Sequence, residues 1–548
     1  MRRNVVFVLT LGGVMLAGSI GATGEPVAKK SLTLHQRLRI ATRTEGGRYR
    51  TVRRTVKWNA KQTAIVVCDM WDLHSSLNAT RRVGELASRM NRVLTAARRQ
   101  GVLIIHAPSS CMAAYKDHPA RRRALDAPRA KNLPRQIGSW CYRIPTEEKG
   151  LYPIDQTDGG QDDDPVEHRQ WEAMLKSMNR PTRHPWKTET TALTIDEDRD
   201  VISDKGDEIW NVMQQRGITN VILVGVHTNM CVLGRPFGLR QMVRNGKNVA
   251  LMRDMTDTMY NPQRSPYVSH FTGTDLIVEH IEKYVCPTIT SVDFLGGRPF
   301  RFRNDTRPHL VIVSAEREYQ TEQTLPKFAL TYLGKSFRVS YVFADEADRN
   351  NLPGIDVLNH ADLVLISVRR RLLPKSQLDV IHRFVMSGKP VIGLRTASHA
   401  FAPPRGKRPP AGHAAWVQFD HEVLGGNYHN HFGNQLRPIV AVVPETDRML
   451  LPSAADLAGF HAGGSLYRVQ PLSKSTTILL TGRIEGHPSE PVAWTNVTRW
   501  GGRVFYTSLG HPDDFKSRAF SRFLADAVYW AAGLHPKTTV AKANRPLK

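Results

Sequence analysis

Two side chains are placed where they could do acyl chemistry. Cys231 follows the run Val221-Ile-Leu-Val-Gly225-Val-His227-Thr-Asn229-Met230, so it lies just past an apolar strand and at the start of the expected next helix. Asp69 ends a second apolar run, residues 63–68. In open parallel sheets, ligands bind outside the carboxyl ends of the strands. A thiolate there attacks an acyl carbon, and a neighbouring carboxylate takes the thiol proton and passes it to a leaving amine. Helix amides would lower the thiol pKa, and backbone N–H groups around Cys231 would hold a developing oxyanion. His227, Asn229 and Met230 are the candidates for holding oxyanion or substrate. A small buried cysteine without chemistry is the competing explanation, since free cysteines are usually core residues. Asp69 shifts the balance toward chemistry.

The elements that must position this pair read as alternating short strands and longer amphipathic stretches, the pattern of a parallel sheet flanked by helices. Residues 63–68 form a strand. Residues 80–100 place Val83, Leu86, Ala87, Met90, Val93, Leu94 and Ala97 at helical spacing, Gly101 stops the helix, and a strand follows at 102–106. A long irregular insertion spans 108–185. After it come a helix near 208–216, the strand 221–225, a helix over 231–245 and a strand at 248–252. Residues 294–307 hold two glycines, a proline and four arginines with no apolar period, and a linker is placed at 294–306. A second alternation begins with strands at 309–313, 338–343, 362–368 and 390–394, and a helix at 374–387. Strands at 477–481, 491–494 and 504–507 and a helix at 517–530 close it. The fold class is α/β, with two three-layer α/β/α domains over 63–293 and 307–535, each with a mainly parallel sheet.

The ends suggest export. Residues 1–24 have two arginines, an apolar run and small residues at the close, the pattern of a signal peptide. The run is interrupted by glycines and short for a membrane span, so stable membrane insertion after cleavage is not expected. The mature protein is expected in the periplasm or outside the cell, with an N-terminal extension at 25–62 and a basic tail at 536–548. Five cysteines are too few and too scattered for a disulfide framework in 548 residues. The formal charge of +26 falls to +24 once Arg2 and Arg3 leave. The basic residues are spread along the chain without interleaved aromatics, which excludes nucleic acid as a partner and favours solvated faces or an anionic envelope.

Asp69 together with Gly225-Val-His-Thr-Asn-Met-Cys231-Val resembles the isochorismatase-like cysteine hydrolases, a family that includes nicotinamidases and carbamoyl-amide hydrolases. The resemblance covers about 63–286. It implies a third catalytic member, a lysine between the two segments. Lys205 is the nearer candidate and Lys187 the other, whereas a gapless reading puts Asp198 at that place. If neither lysine reaches the thiol, the stabilising cation is Arg199 or Arg235, and arginine cannot shuttle a proton. The thiol itself argues for amide or related acyl substrates. The chemistry requires no cofactor. A divalent metal is a further option, since nicotinamidases bind one through Asp and His, and Asp72, His74 and His106 are the residues of suitable type here. The acidic loop 155–164 offers carboxylates for calcium, or is a solvated turn.

Residues 390–401 form the strand and turn where class I glutamine amidotransferase-like folds carry their nucleophile, and Arg395 stands in its place. No cysteine lies in this domain, which excludes thiol chemistry there. Phe419-Asp-His421-Glu-Val-Leu-Gly-Gly, His429 to His431 and the run from Val504 to His511 resemble the trehalose-utilisation (ThuA-like) family. The resemblance implies a link to carbohydrate. Arg395, His399, His429, His431 and His511 either gather as a polar site for sugar or metal, or cap strands and loops. The chain therefore reads as an exported cysteine hydrolase of small amides with an appended carbohydrate-associated domain, free to form a homo-oligomer. The alternative is a glycan-binding protein whose hydrolase domain is weak or inactive.

Overall fold

The computed structural model describes residues 31–42, 48–404, 406–444 and 451–535. The expected signal peptide and basic tail lie outside these residues. Two eight-stranded sheets form the centres of two α/β domains. In the first, strands β1 (Ser31–Ala41), β2 (Tyr49–Asn59), β3 (Thr63–Cys68), β4 (Leu103–Ala107), β5 (Val201–Ile202), β6 (Asn220–Val226), β7 (Asn248–Asp257) and β8 (Thr288–Ile289) run in the order β2-β1-β8-β7-β6-β3-β4-β5. From β8 to β5 all neighbours are parallel. The N-terminal extension forms the antiparallel β1–β2 hairpin, which joins the sheet through β8.

The helix α1 (Leu77–Arg99) begins where Ser76 accepts a bond from the Ala79 N–H. It buries all seven apolar residues expected from the spacing, together with Ala79 and Arg82. At about 1.5–3 kcal/mol for each fully buried aliphatic side chain, this face anchors the helix to the sheet. The insertion is more ordered than its composition suggests, because Pro119–Leu125 and Pro165–Ser177 are helices. Both start at a proline, which suits the first helical turn, and His118 and Asp164 cap them. The helix expected over 231–245 is instead a wide turn at Thr228–Val232 followed, after a break, by the short helix Leu239–Arg244. Pro236 and Gly238 lie in the break.

The second sheet runs from edge to edge through Arg338–Phe343, His309–Ala315, Leu363–Val368, Val391–Leu394, Arg503–Thr507, Glu490–Val497, Thr477–Arg483 and Ile439–Val442. The first five strands are parallel and the rest antiparallel. The segment between the domains is packed, since Phe294, Leu295, Phe300 and Phe302 rest on the core beneath α1. Arg307 bonds Thr272 at 2.6 Å, and the Ser269 N–H reaches the Gly334 carbonyl at 3.1 Å. The hairpin adds an ion pair across the junction, Arg50 to Asp345 at 2.8 Å. All five cysteines are unpaired and buried. No helix among the described residues is long and apolar enough to cross a membrane.

Candidate active site

Register brings the pair together. β3 and β6 lie side by side with Cys68 opposite Gly225, so the residues that follow each strand emerge at one edge. The approach is close enough that a Cβ on Gly225 would lie 2.0 Å from the Cys68 carbonyl oxygen, and its φ is +102°. Only glycine fits such a backbone without displacement. Asp69 turns out of β3 with φ at 48°. Its Oδ1 accepts the Ser109 N–H at 2.8 Å, and its Oδ2 accepts the Arg235 Nε–H at 3.1 Å. The Cys231 thiol lies beside the Asp69 carboxylate and the Arg235 guanidinium, close enough that both charges act on it. Trp140 lies 4.8 Å from the Arg235 guanidinium, a cation–π contact that fixes its plane.

These contacts reverse the expected direction of the thiol pKa. Burial raises it, the Asp69 charge raises it further, and Arg235 and the His227 N–H offset only part of this. The resting residue is a protonated thiol beside a carboxylate. Burial likewise raises the Asp69 carboxyl above the usual carboxylate range against the opposing pull of Arg235. A carboxylate with increased proton affinity is better suited to accept that proton.

The corresponding edge of the second sheet is built differently. Arg395 follows the strand Val391–Leu394 with φ at 44° and is 2% exposed. Its guanidinium stacks over Tyr319 at 4.2 Å and Tyr467 at 4.8 Å. It donates to the Ser508 carbonyl at 2.6 Å and the Tyr319 hydroxyl at 3.2 Å, while its Nε has no partner. A Cβ on Gly464 would fall 2.4 Å from the guanidinium. His399 stacks on Tyr428 at 4.5 Å, and His431 and His511 lie near Tyr467 and Tyr319. Burial and the charges of Arg370, Arg369 and Arg395 push the His399 pKa well down, so it is neutral. His429 stays apart, exposed and bonded to the Asn427 carbonyl.

Residues 63–265 match the isochorismatase domain family, and residues 309–531 match the trehalose utilisation family, ThuA. The chain joins an isochorismatase domain to a ThuA domain. Among solved structures, a cysteine hydrolase from Pseudomonas syringae pv. phaseolicola is 16% identical over 43% of this chain and 92% of its own, with a TM-score of 0.26. A ThuA-like protein from Parabacteroides merdae is 15% identical over 42% of this chain and 92% of its own, with a TM-score of 0.29. N-carbamoylsarcosine amidase from Thermoplasma acidophilum is 16% identical over 42% and 96%, with a TM-score of 0.22. No curated protein matches the sequence.

In the isochorismatase domain the cation at the thiol is Arg235, not either expected lysine. Lys205 lies 3.7 Å from Asp204 with 61% of its side chain exposed, and Lys187 is exposed. Arg199 faces Asp196 at 3.8 Å and is also exposed. A charge with the family lysine's sign thus arrives four residues after the cysteine, from the turn that carries the thiol. The Asn229 side chain is not free for substrate. It donates to Gln156 Oε1 and the Met259 carbonyl and accepts the Met259 N–H, all at 2.9 Å. It ties the insertion to the nucleophile turn. Met230 packs at the edge of the core. His227 is buried and neutral, with Nε2 unpartnered.

The three residues considered for metal are not brought together. Asp72 pairs with Arg180 at 2.8 Å and accepts the Lys187 N–H. His74 stacks near Trp71 and Trp186, accepts the Ser76 N–H at 3.0 Å, and is driven by burial to a pKa of about 4. His106 sits between Glu189 at 2.6 Å and Asp200 at 3.1 Å. Burial would lower its pKa, but the two carboxylates raise it to about 9, so it is an imidazolium in a salt-bridge network with Arg98. No cluster suited to a metal occurs among the described residues. The acidic loop is also engaged in structure. Asp162 holds Arg82 at 2.8 Å, Asp163 accepts the Leu77 and Asn78 N–H groups of α1, and Asp164 caps the insertion helix.

The sequence reading had no place for the aromatic wall beside the site. Trp71 and Trp186 stack at 4.1 Å, and the edge of His74 meets His227 at 5.0 Å. Trp71 was visible two residues after Asp69, but its partner comes from the far end of the insertion.

Proposed function

We propose that the isochorismatase domain hydrolyses a small amide or related acyl compound through Cys231, in an exported protein whose ThuA domain engages carbohydrate. The observation that carries this reading is the placement of the Cys231 thiol beside Asp69, itself ion-paired with Arg235 at 3.1 Å. As sulfur attacks the carbonyl carbon, the S–H proton passes to Asp69. Arg235 compensates the charge left on the pair but keeps its own proton. Asp69 then protonates the leaving amine as the C–N bond breaks, and water hydrolyses the thioester with Asp69 again as base. The stacked Trp71 and Trp186 and the unpartnered Nε2 of His227 are the groups this reading assigns to a flat, polar acyl substrate. No metal enters these steps.

The test is turnover of a panel of small amides by wild type, Cys231→Ala and Asp69→Asn. Loss of activity in both variants supports the reading, and undiminished turnover in Cys231→Ala overturns it. A second reading, a glycan-binding protein with an inactive first domain, is favoured by the raised thiol pKa. It predicts no turnover by wild type across the panel together with retained sugar binding.

A further inference from the structure

A cavity of about 260 Å³ lies between the two domains, away from the thiol. Its walls are the helix His270–Tyr284, the segment 299–307, the ends of β1 and β7, and the strand Arg338–Phe343 of the ThuA domain. Six arginines line it against four carboxylates. Four of the arginines are neutralised locally. Arg37 pairs with Glu282 at 2.7 Å, Arg39 with Glu279 at 3.1 Å, Arg301 with Asp305 at 3.3 Å and Arg307 with Asp275 at 3.0 Å.

Arg253 and Arg338 are different. Arg253 donates to Thr288 Oγ1 at 3.1 Å, and Arg338 lies 3.3 Å from His309 Nδ1. Neither forms an ion pair with a carboxylate among the described residues. Burial and Arg37 push the Arg253 pKa down to about 9 against the pull of Glu282 and Asp254, and burial with Arg301 and Arg37 lowers that of Arg338 against Asp275. Both are half-buried, and a partly desolvated charge with no carboxylate in ion-pair contact is one that an anion supplied from solution stabilises. The hydroxyl of Thr274, also in the wall, is buried without a hydrogen-bond partner. The apolar part of the lining is aromatic. Phe271 and Phe302 stack at 5.5 Å, and Phe300 meets Phe302 edge-on at 5.1 Å.

We propose that this interdomain cavity binds a small aromatic carboxylate, with its carboxylate at Arg253 and Arg338 and its ring against Phe271, Phe300 and Phe302. The volume admits a single ring, since pockets for larger organic ligands start at about 300 Å³. The site does not depend on the chemistry assigned to Cys231.

Benzoate is the probe, titrated calorimetrically into the full chain, with benzyl alcohol and acetate as the neutral and the non-aromatic controls. Benzoate is expected to bind at least about tenfold more tightly than either control, a difference of about 1.4 kcal/mol. Arg253→Gln and Arg338→Gln are each expected to weaken benzoate by at least about tenfold while the melting transition stays cooperative. Should either variant fail to fold, hydrogen exchange on wild type decides. Benzoate is expected to slow exchange in 271–279, 299–307 and 338–341. Absence of binding up to about 10 mM, equal binding of acetate, or protection confined to other segments overturns the proposal.

Discussion

The two sheet edges of this protein use the same position for different ends. In each domain an arginine, half-buried in the first and buried in the second, sits at the carboxyl edge of a parallel sheet beside an aromatic ring. In the isochorismatase domain Arg235 is matched by Asp69, which also holds the Cys231 thiol. In the ThuA domain Arg395 occupies the elbow itself, sandwiched between Tyr319 and Tyr467 and bonded to a carbonyl and a hydroxyl. In the proposed reading the first edge supplies a nucleophile and a group that exchanges its proton. The second presents a fixed positive charge, aromatic faces and a neutral histidine, and in the proposed reading these hold a ligand. A shared location in related architectures does not make a shared chemistry; the residues placed there do.

This contrast is most exposed at the thiol and its base. Cys231→Ala and Asp69→Asn are each expected to reduce kcat/KM for an amide substrate by at least about 10³-fold, because nucleophile and base act as a unit. Steady-state rates with a shared substrate check this, and a small effect of Asp69→Asn would remove the difference between the edges. Iodoacetamide is expected to alkylate Cys231 more slowly at neutral pH than a model thiol, and faster as pH rises, as the raised pKa requires.

The supporting histidines sharpen the contrast through pH. His106 is raised to about 9 by Glu189 and Asp200 against its burial, compared with about 6.5 in an unfolded chain. Its contribution, on the order of 3 kcal/mol, is present below pH 6.5 and lost as pH rises toward 9. His399 is lowered by burial and by Arg370, so its contribution is present above pH 6.5 and lost as pH falls below it. Denaturant midpoints measured across pH 5–9 are expected to lose the alkaline slope in His106→Gln and the acidic slope in His399→Gln.

Loss of the arginines is the next smaller effect. Arg235→Met is expected to lower kcat by about 10²-fold, and Arg235→Lys to recover part of that, since charge compensation is its role. Full recovery with lysine would show that the directional Nε–H bond to Asp69 is dispensable. Arg395→Met is expected to change carbohydrate binding by only about tenfold, read by calorimetry, because tyrosine rings and backbone groups share the site.

Much of this was readable before any coordinates. The seven apolar positions of α1 announced a helix because burial on one face imposes a 3.6-residue period, and they are the residues buried there. β3 was bounded in full by its apolar run, and Asp69 and Cys231 were legible because strand ends at the carboxyl edge are set by local pattern and topology together. The helices of the insertion were missed because their polar faces show no clear period; Pro165–Ser177 buries just Trp171 and Leu175. For the cation, the sequence puts Lys205 and Lys187 first and Arg235 only as the fallback, for a related reason. Lys205 and Lys187 were chosen by distance along the chain, but a wide turn at Thr228–Val232 swings Arg235 back onto the sulfur.

By itself, then, the sequence determined two α/β domains, the strand-end thiol with its carboxylate, and the absence of a thiol from the second domain. These are consequences of hydrophobic period and residue type, which act locally. Only the tertiary structure decided which charges meet. It paired Arg235 with Asp69, spent Asn229 and the acidic loop on holding the insertion, locked His106 between two carboxylates, and raised the pKa of the thiol by burying it. Electrostatic energies depend on distance and on exclusion of water, and neither is written in the order of residues.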